Sequence, residues 1–391
     1  MILILVILLA LIGHGYIWVA LVNRLHGGAW SRVFVDYVTQ FCLFCFLALP
    51  VLIVGRWRVE AIGSSALPSL LATPLKSYFY LCVLWGGTKL LLLAWRDRQR
   101  DQPDTLLSCR QVPSDLAVGL GSDIFQGNYA RSLSLVPGNQ ALSLCIDHKQ
   151  LRIPRLHANH EGIRIAHISD LHMTGRLGKR WYEVVVEQVN KLEPDVIAIT
   201  GDIIENASCL PWLSETVAKL QAQLGVYFVL GNHDYYMDSQ ATRQVLTDAG
   251  LHYLSGSWLE TEWRGAPVAL AGNELPWQIE AATHPVATPR CEDQLPLRIG
   301  LLHTPDQFAW ACRHDIDLGL AGHTHAGQIR LPLLGAVASP SLYGTRYACG
   351  VFRWDNTVLH VTRGISGKMP IRWNCPPEIA ILELVSSAGE T

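Results

Sequence analysis

Two patterns of apolar residues divide this chain. Met1 to Val22 and Tyr37 to Gly55 contain no Lys, Arg, Asp or Glu, and an uncharged run of about 20 residues is what a helix needs to cross a bilayer. Both are expected to span. The first lacks a basic leader and a small-residue cleavage site, which favours a retained anchor over a signal peptide. Ser77 to Trp95 is a third candidate: Lys89 costs about 3 kcal/mol against roughly −2 to −5 kcal/mol from the Leu, Val and Phe side chains. Lys89 is tolerated if it snorkels to the interface marked by Trp95, Arg96, Arg98 and Arg100. Ala61 to Leu75, interrupted by Pro68 and Pro74, is expected to lie on the surface or re-enter. Residues 1–95 therefore read as a membrane region with two or three transmembrane helices.

After Arg96 the pattern changes. Residues 96–140 are polar, with Gly, Pro and Ser and no sustained period, which suggests a linker or membrane-proximal segment. Ala141 to Leu156 alternates toward a strand and is expected to form the first edge of a sheet. Then, five times, a short apolar run ends in a cluster of Asp, His or Asn. The runs are Ile163 to Ile168, Val196 to Ile199, Val226 to Leu230, Ile299 to Leu302 and Ile316 to Ala321. Continuous apolar runs of this length fit strands covered on both faces. Trp181 to Leu192 and Leu213 to Leu224 have helical spacing, and Gly225 stands where a helix would stop. Such alternation predicts an α/β domain over 141–391: a layered sheet with its ligand site outside the carboxyl ends of the strands. All five clusters then point to one edge.

Only 16% of the residues are charged, against roughly a quarter in an ordinary soluble protein, and the apolar amino end accounts for the deficit. With 31 Lys+Arg against 33 Asp+Glu, the net charge of −2 gives no basic footprint for nucleic acid, and none is expected as partner. The 10 cysteines follow no spacing pattern and read as free thiols in a reducing compartment. Basic residues near the segment ends favour topologies, with two spans or three, that leave the carboxyl part in the cytoplasm.

The clusters are Asp170-Leu171-His172, Gly201-Asp202, Gly231-Asn232-His233-Asp234, His303 and Gly322-His323-Thr324-His325. Any one alone has a structural explanation; Gly-Asp is usually a turn, for instance, and Gly-Asn is a common φ > 0 dipeptide. Together they supply carboxylates, imidazoles and an amide oxygen, a donor set suited to Mn²⁺, Fe²⁺ or Zn²⁺ rather than Ca²⁺ or Mg²⁺. The absence of a thiolate argues against a structural zinc ribbon.

In this order the clusters resemble the signature of the calcineurin-like metallophosphoesterases, with the resemblance covering Ala141 to Leu384. Ala326-Gly327-Gln328, the tail Gly364 to Pro370, and Pro377-Glu378-Ile379 resemble the membrane-anchored bacterial members. The resemblance implies a sandwiched β-sheet domain with helices outside and two divalent transition ions, manganese favoured. Asp170, His172, Asp202 and His325 would hold one ion; Asp202, Asn232, His303 and His323 would hold the other, with Asp202 bridging. His233 would donate a hydrogen bond to the phosphate or protonate the leaving oxygen. Asp234 would orient His233; its alternative is a helix-capping acceptor. The implied reaction is hydrolysis of a phosphodiester or pyrophosphate, with a lipid-linked substrate such as a uridine-diphosphate diacylglucosamine and membrane lipid as partners, at a bacterial inner membrane.

Several residues are left open. His167 is expected to pack or to support a ligand. Asn273-Glu274 replaces an Asp-Asp element common in the family, which leaves that loop's role undecided. Arg330, Arg346, Arg363 and Arg372 are candidates for a second phosphate, or else solvated surface groups. The alternative function, a non-catalytic metal- or phosphate-binding module, would have lost ligands or the histidine beside Asn232, and none is lost. A metal transporter is disfavoured because the apolar segments carry no carboxylates or histidine cluster to pass an ion.

Overall fold

The computed structural model describes residues 2–61, 69–96, 104–114, 120, 124–278, 296–332 and 334–386. The chain divides into two compact units, Met1–Asp101 and Gln102–Thr391.

The first unit is three helices, α1 (Ile2–His26), α2 (Arg32–Ala61) and α3 (Ser69–Arg96). Ile2–His26 and Arg32–Gly55 are long and apolar enough to cross a bilayer, and most of their surface is not covered by protein. They are consistent with an amino-terminal membrane region. α1 and α3 touch backbone to backbone through glycines: a Cβ on Gly13 would lie 1.8 Å from the Cys82 carbonyl oxygen, and one on Gly86 would lie 2.1 Å from that of Leu9. Such contacts take the place of the hydrophobic effect between helices in lipid. His14 crosslinks all three helices, bonding the Tyr78 hydroxyl at 2.6 Å and the Phe46 carbonyl at 2.9 Å. The segment expected to lie on the surface or re-enter, Ala61 to Leu75, is helical from Ser69, where α3 begins, with Pro74 in its second turn, and 62–68 lie outside the described residues.

The second unit is two β-sheets face to face. The seven-stranded sheet holds β1 (Leu106–Pro113), β2 (Cys145–Ile153), β3 (Arg164–Ile168), β4 (Val196–Thr200), β5 (Val226–Val229), β6 (His252–Tyr253) and β15 (Glu378–Ser386), in the order β1-β2-β15-β3-β4-β5-β6. The six-stranded sheet holds β7 (Trp258–Trp263), β8 (Ala266–Asn273), β9 (Leu297–Leu302), β10 (Leu318–Ala321), β13 (Gly350–Trp354) and β14 (Thr357–Val361), in the order β13-β14-β10-β9-β8-β7. A two-stranded hairpin, β11 (Arg330–Leu331) and β12 (Gly335–Ala336), follows the last cluster.

Alternation along β3 and β4 serves two cores at once. Ile165, Val196 and Ala198 share a core with Ile299, Leu301, Leu318 and Leu320 of the other sheet, whereas Ala166, Ile168, Ile197 and Ile199 pack outward under the helices. Each fully buried Val, Leu or Ile contributes about 1.5–3 kcal/mol. The helix α5 (Lys179–Lys191) covers the outer face with Trp181, Tyr182, Val185, Val186 and Val189, an apolar stripe at helical spacing.

All five apolar runs are strands, and β3, β4, β5 of one sheet and β9, β10 of the other run parallel within their sheets. Three expectations change. Residues 96–140 are not merely a linker: β1 pairs with β2 along its length, and α4 (Gly127–Ser134) follows. β1, not the Ala141 to Leu156 run, is therefore the edge. The helix expected over Leu213 to Leu224 is broken into α6 (Trp212–Glu215) and a single turn, Val217–Lys219, by Thr216 at φ −124°, ψ −95°.

Candidate metal centre

The loops after β3, β4, β5, β9 and β10 converge, and their backbones are strained where they do so. Asp170, His172, Asp202, His323 and His325 have φ of 55°, 43°, 53°, 67° and 49°, in the left-handed region that non-glycine residues enter uncommonly, Asn, Asp and His more often than the rest. Such strain concentrates at functional sites. The Asp170 and His172 amides donate to the Gly201 and Asp202 carbonyls at 2.9 Å each, which locks the first two loops together.

Gly231 is required for close approach. Its φ of −108° suits any residue, contrary to the turn reading of Gly-Asn, but a Cβ there would sit 2.2 Å from Asp202 Oδ1 and 2.5 Å from His303 Cε1. Gly322 is confined similarly, since a Cβ on it would lie 2.6 Å from Asp170 Oδ2.

Three imidazoles are anchored by Nδ1 and present Nε2 inward. His172 Nδ1 faces Glu205 Oε2 at 3.0 Å, His303 Nδ1 faces the Thr200 carbonyl at 2.7 Å, and His325 Nδ1 faces the Ser366 carbonyl at 3.1 Å. Each acceptor is an oxygen, so Nδ1 carries the proton and Nε2 offers its lone pair. The inward atoms crowd: His172 Nε2 lies 3.1 Å from His325 Nε2 and 4.0 Å from Asp170 Oδ1. His303 Nε2 lies 3.1 Å from Asn232 Oδ1. Asp202 Oδ2 stands between the two sets, 3.5 Å from His172 Nε2 and 3.4 Å from His303 Nε2. His323 Nε2 is buried and has no hydrogen-bond partner among the described residues.

These residues fit a pair of transition ions. The His172 and His325 Nε2 atoms face each other across 3.1 Å, a separation that either a shared proton or a shared cation satisfies. Metal–nitrogen bonds of about 2.0–2.1 Å also place neighbouring donors roughly 3 Å apart. The described residues supply Asp170, His172 and His325 as one group and Asp202, His303 and His323 as another. The electrostatics agree. Burial opposes charge on His303, but the facing Asp202 carboxylate outweighs it and pushes His303 up to about 9, so Asp202 draws positive charge to this point and a bound cation would displace the proton. Burial likewise opposes ionisation of Asp202, yet His303 and His233 hold its carboxyl well below the usual range. Burial and neighbouring histidines keep His323 and His325 neutral, the form that binds metal.

The structure changes the reading of Asp234. Its Oδ1 accepts from the Ile203 and Ile204 amides at 3.0 and 2.9 Å, and its Oδ2 from the Gly231 amide at 2.8 Å. Asp234 thus clamps the Asp202 loop to the start of α7 (Asn232–Tyr236) and does not orient His233. Glu205 faces that ring instead, with Oε1 3.1 Å from His233 Nδ1. The spacing of motifs gave no signal for Glu205, a single acid three residues beyond Asp202.

Other expectations are settled by contacts. His167 supports a ligand strand: Nε2 bonds Thr200 Oγ1 at 2.9 Å, on the residue whose carbonyl holds His303. Arg363 is paired with Asp147 at 2.9 Å and Arg372 is buried, donating to the Ser366 and Arg363 carbonyls. Neither is a phosphate ligand or a solvated group. Arg330 is half-buried on the Ala326 carbonyl, and Arg346 is exposed over Tyr347. Glu274 is buried and accepts from the Leu230 amide and the Tyr235 and Tyr253 hydroxyls, so it braces the Asn232 loop. Trp277, also absent from the motif reading, lies 4.9 Å from the His323 ring and 5.4 Å from that of His303.

Residues 163–327 match the family model described as calcineurin-like phosphoesterase. The uncharacterized metallophosphoesterase YkuE of Bacillus subtilis (strain 168) is 30% identical over 234 residues, covering 58% of this chain and 80% of that protein. The chain belongs to the calcineurin-like phosphoesterase family. It is accordingly a metal-dependent phosphoester hydrolase. A transmembrane protein with metallophosphoesterase domain from Bos taurus is 28% identical over 343 residues, 82% of this chain and 75% of that protein. UDP-2,3-diacylglucosamine pyrophosphatase LpxG of Chlamydia muridarum (strain MoPn / Nigg) is 27% identical over 290 residues, 59% of this chain and 86% of that protein.

Proposed function

We propose that the chain is a two-metal hydrolase, anchored by its amino-terminal helices with the second unit in the cytoplasm, that cleaves a phosphodiester or pyrophosphate bond in a lipid-linked substrate. The observation that carries the two-metal reading is Asp202 Oδ2, which faces His172 and His303 at 3.5 and 3.4 Å and so can serve both groups of donors. Support for the substrate class is the similarity to LpxG, together with the membrane region.

Asp170, His172, Asp202 and His325 would hold one ion and Asp202, Asn232, His303 and His323 the other, with manganese favoured. When bound, the pair supplies Lewis acidity toward the phosphoryl group and lowers the pKa of water. The protein's own part is positional. Asn232 turns its carbonyl oxygen inward beside His303, and the Asp202 Oδ1 accepts the His233 amide at 2.8 Å, which fixes the backbone of the loop. His233 keeps part of its ring exposed. With Nδ1 toward Glu205, it offers Nε2 to the phosphate or to the leaving oxygen. Glu205 is held well below the usual carboxylate range: burial opposes this, but His172 and His233 prevail. It therefore remains an anion able to stabilise a protonated His233.

The test is incubation of the full chain and of His233→Ala with bacterial membrane extracts, followed by mass spectrometry of the phospholipid and nucleotide-lipid fractions. A phosphodiester or pyrophosphate lipid should disappear only with the intact histidine. Equal depletion by both proteins would remove His233 from the chemistry, and no depletion by either would remove the lipid-linked substrate.

A further inference from the structure

We propose that the face formed by α4, the turn after it and the segments 326–331 and 366–374 inserts into the anionic bilayer interface. This rests on the membrane attachment proposed above and goes beyond it by assigning the surface that touches lipid.

The face is apolar where exposure is greatest. Tyr129, Leu135, Ile329, Leu331, Met369 and Trp373 are between 38% and 81% exposed. They belong to one continuous surface. The Tyr129 hydroxyl reaches Met369 Sδ at 3.0 Å, Asn139 Nδ2 ties the Leu133 and Pro370 carbonyls together at 3.0 Å each, and Ile329 pairs with Trp373. The Trp373 indole lies over Gly138, where a Cβ would be 3.0 Å from Nε1. The surface also borders the metal centre, because Ser366, whose carbonyl receives His325 Nδ1, opens the 366–374 segment.

Charge selects the occupant. Residues 127–140, 326–350 and 366–377 contain no Asp or Glu, but they contain Arg131, Arg330, Arg346, Lys368 and Arg372. Arg372 is buried; Lys368 and Arg131 are exposed, and the Arg176 guanidinium stacks on Tyr129 at 5.7 Å. Aromatic and aliphatic side chains ringed by cations suit an anionic lipid surface, where each Lys or Arg contributes about 1 kcal/mol. A second copy of the same cation-rich face would be repelled.

Full-length chain in nanodiscs containing phosphatidylglycerol, carrying the photo-crosslinker p-benzoylphenylalanine at position 135, 369 or 373, tests this by mass spectrometry of lipid adducts. Trp354, exposed in the β13–β14 turn at the end of its sheet away from the metal centre, is the control position. We expect at least about five-fold more lipid adduct at each of the three positions than at 354. Adduct at or below the control level, or crosslinks to a second copy of the chain, would overturn the assignment. A second measurement uses Leu135→Glu combined with Met369→Glu and Trp373→Glu. Apparent KM for a vesicle-borne phosphodiester should rise about ten-fold, with kcat/KM for soluble bis-p-nitrophenyl phosphate unchanged. An unchanged vesicle KM counts against the surface. Absence of wild-type turnover on both substrates would count against the hydrolase reading, and the crosslinks would still decide the surface.

Discussion

Glu205 Oε1 lies 3.1 Å from His233 Nδ1, and the other oxygen of the same carboxylate lies 3.0 Å from Nδ1 of His172. One buried anion therefore faces both a proposed ligand and the proposed acid, and its bond to His172 is the kind of support that fixes imidazole orientation and tautomer.

Glu205→Gln should lower kcat by about 10–100-fold at every pH tested, because the His172 and His233 rings lose the carboxylate that they face. Rescue by Glu205→Asp should be partial. Steady-state kinetics across pH 6–9 with Mn²⁺ decide this, and a wild-type profile for Glu205→Gln would contradict it.

Asp234→Asn should act chiefly on stability. Three backbone amides donate to this carboxylate. An amide side chain can accept through one oxygen only, leaving buried donors unmet at about 1–3 kcal/mol. A lower thermal midpoint is expected, with a smaller change in the pH–rate profile than Glu205→Gln produces; the reverse ranking would restore Asp234 as the partner of His233.

How much of this was legible in advance depended on whether a residue's own neighbours in sequence specify it. β3, β4, β5, β9 and β10 are buried on both faces, so their apolar runs identify them. β1 (Leu106–Pro113) is an edge strand exposed along most of its length, and pairing with β2 specifies it rather than any alternation of its own. The same contrast holds in the centre. Asp170, His172, Asp202, Asn232, His303, His323 and His325 sit in spaced motifs and are brought together. Glu205 and Trp277 sit in none, and only the fold carries them to His233 and His323. Arg363 and Arg372 were open to either a phosphate-binding or a surface reading because their acceptors, Asp147 and the Ser366 carbonyl, are brought to them only by the fold.

Gly231→Ala should nearly abolish turnover while leaving the protein folded. The added methyl would meet Asp202 Oδ1 at 2.2 Å and His303, displacing the carboxylate proposed to bridge. A loss of at least about 100-fold in kcat/KM is expected, since misplacement by about 1 Å can cost that much. Retention of a tenth or more of wild-type activity would show that Asp202 tolerates the shift.

Between the sheets, Lys149 pairs with Glu378, and Arg363 lies 3.6 Å from Glu378. Burial alone would raise the Glu378 carboxyl, but Lys149 and Arg363 hold it well below the usual range. A depressed carboxyl contributes stability that is fully present above its unfolded value, about 4.3, and is lost as pH falls through the lower folded value. The thermal midpoint of the full chain should therefore drop progressively below about pH 4.3. Glu378→Gln should already be destabilised at pH 7, by about 3–5 kcal/mol, and should lose less on acidification. Parallel acid limbs for the two proteins would place the titration elsewhere.

The most direct test of the two-metal account is metal content measured by inductively coupled plasma mass spectrometry beside turnover of bis-p-nitrophenyl phosphate, for the full chain and Asp202→Asn. About two transition ions per chain are expected for the former, and loss of both ions and turnover when the shared carboxylate is removed. An active wild type free of transition ions, or an Asp202→Asn protein that keeps both ions and its rate, would contradict it.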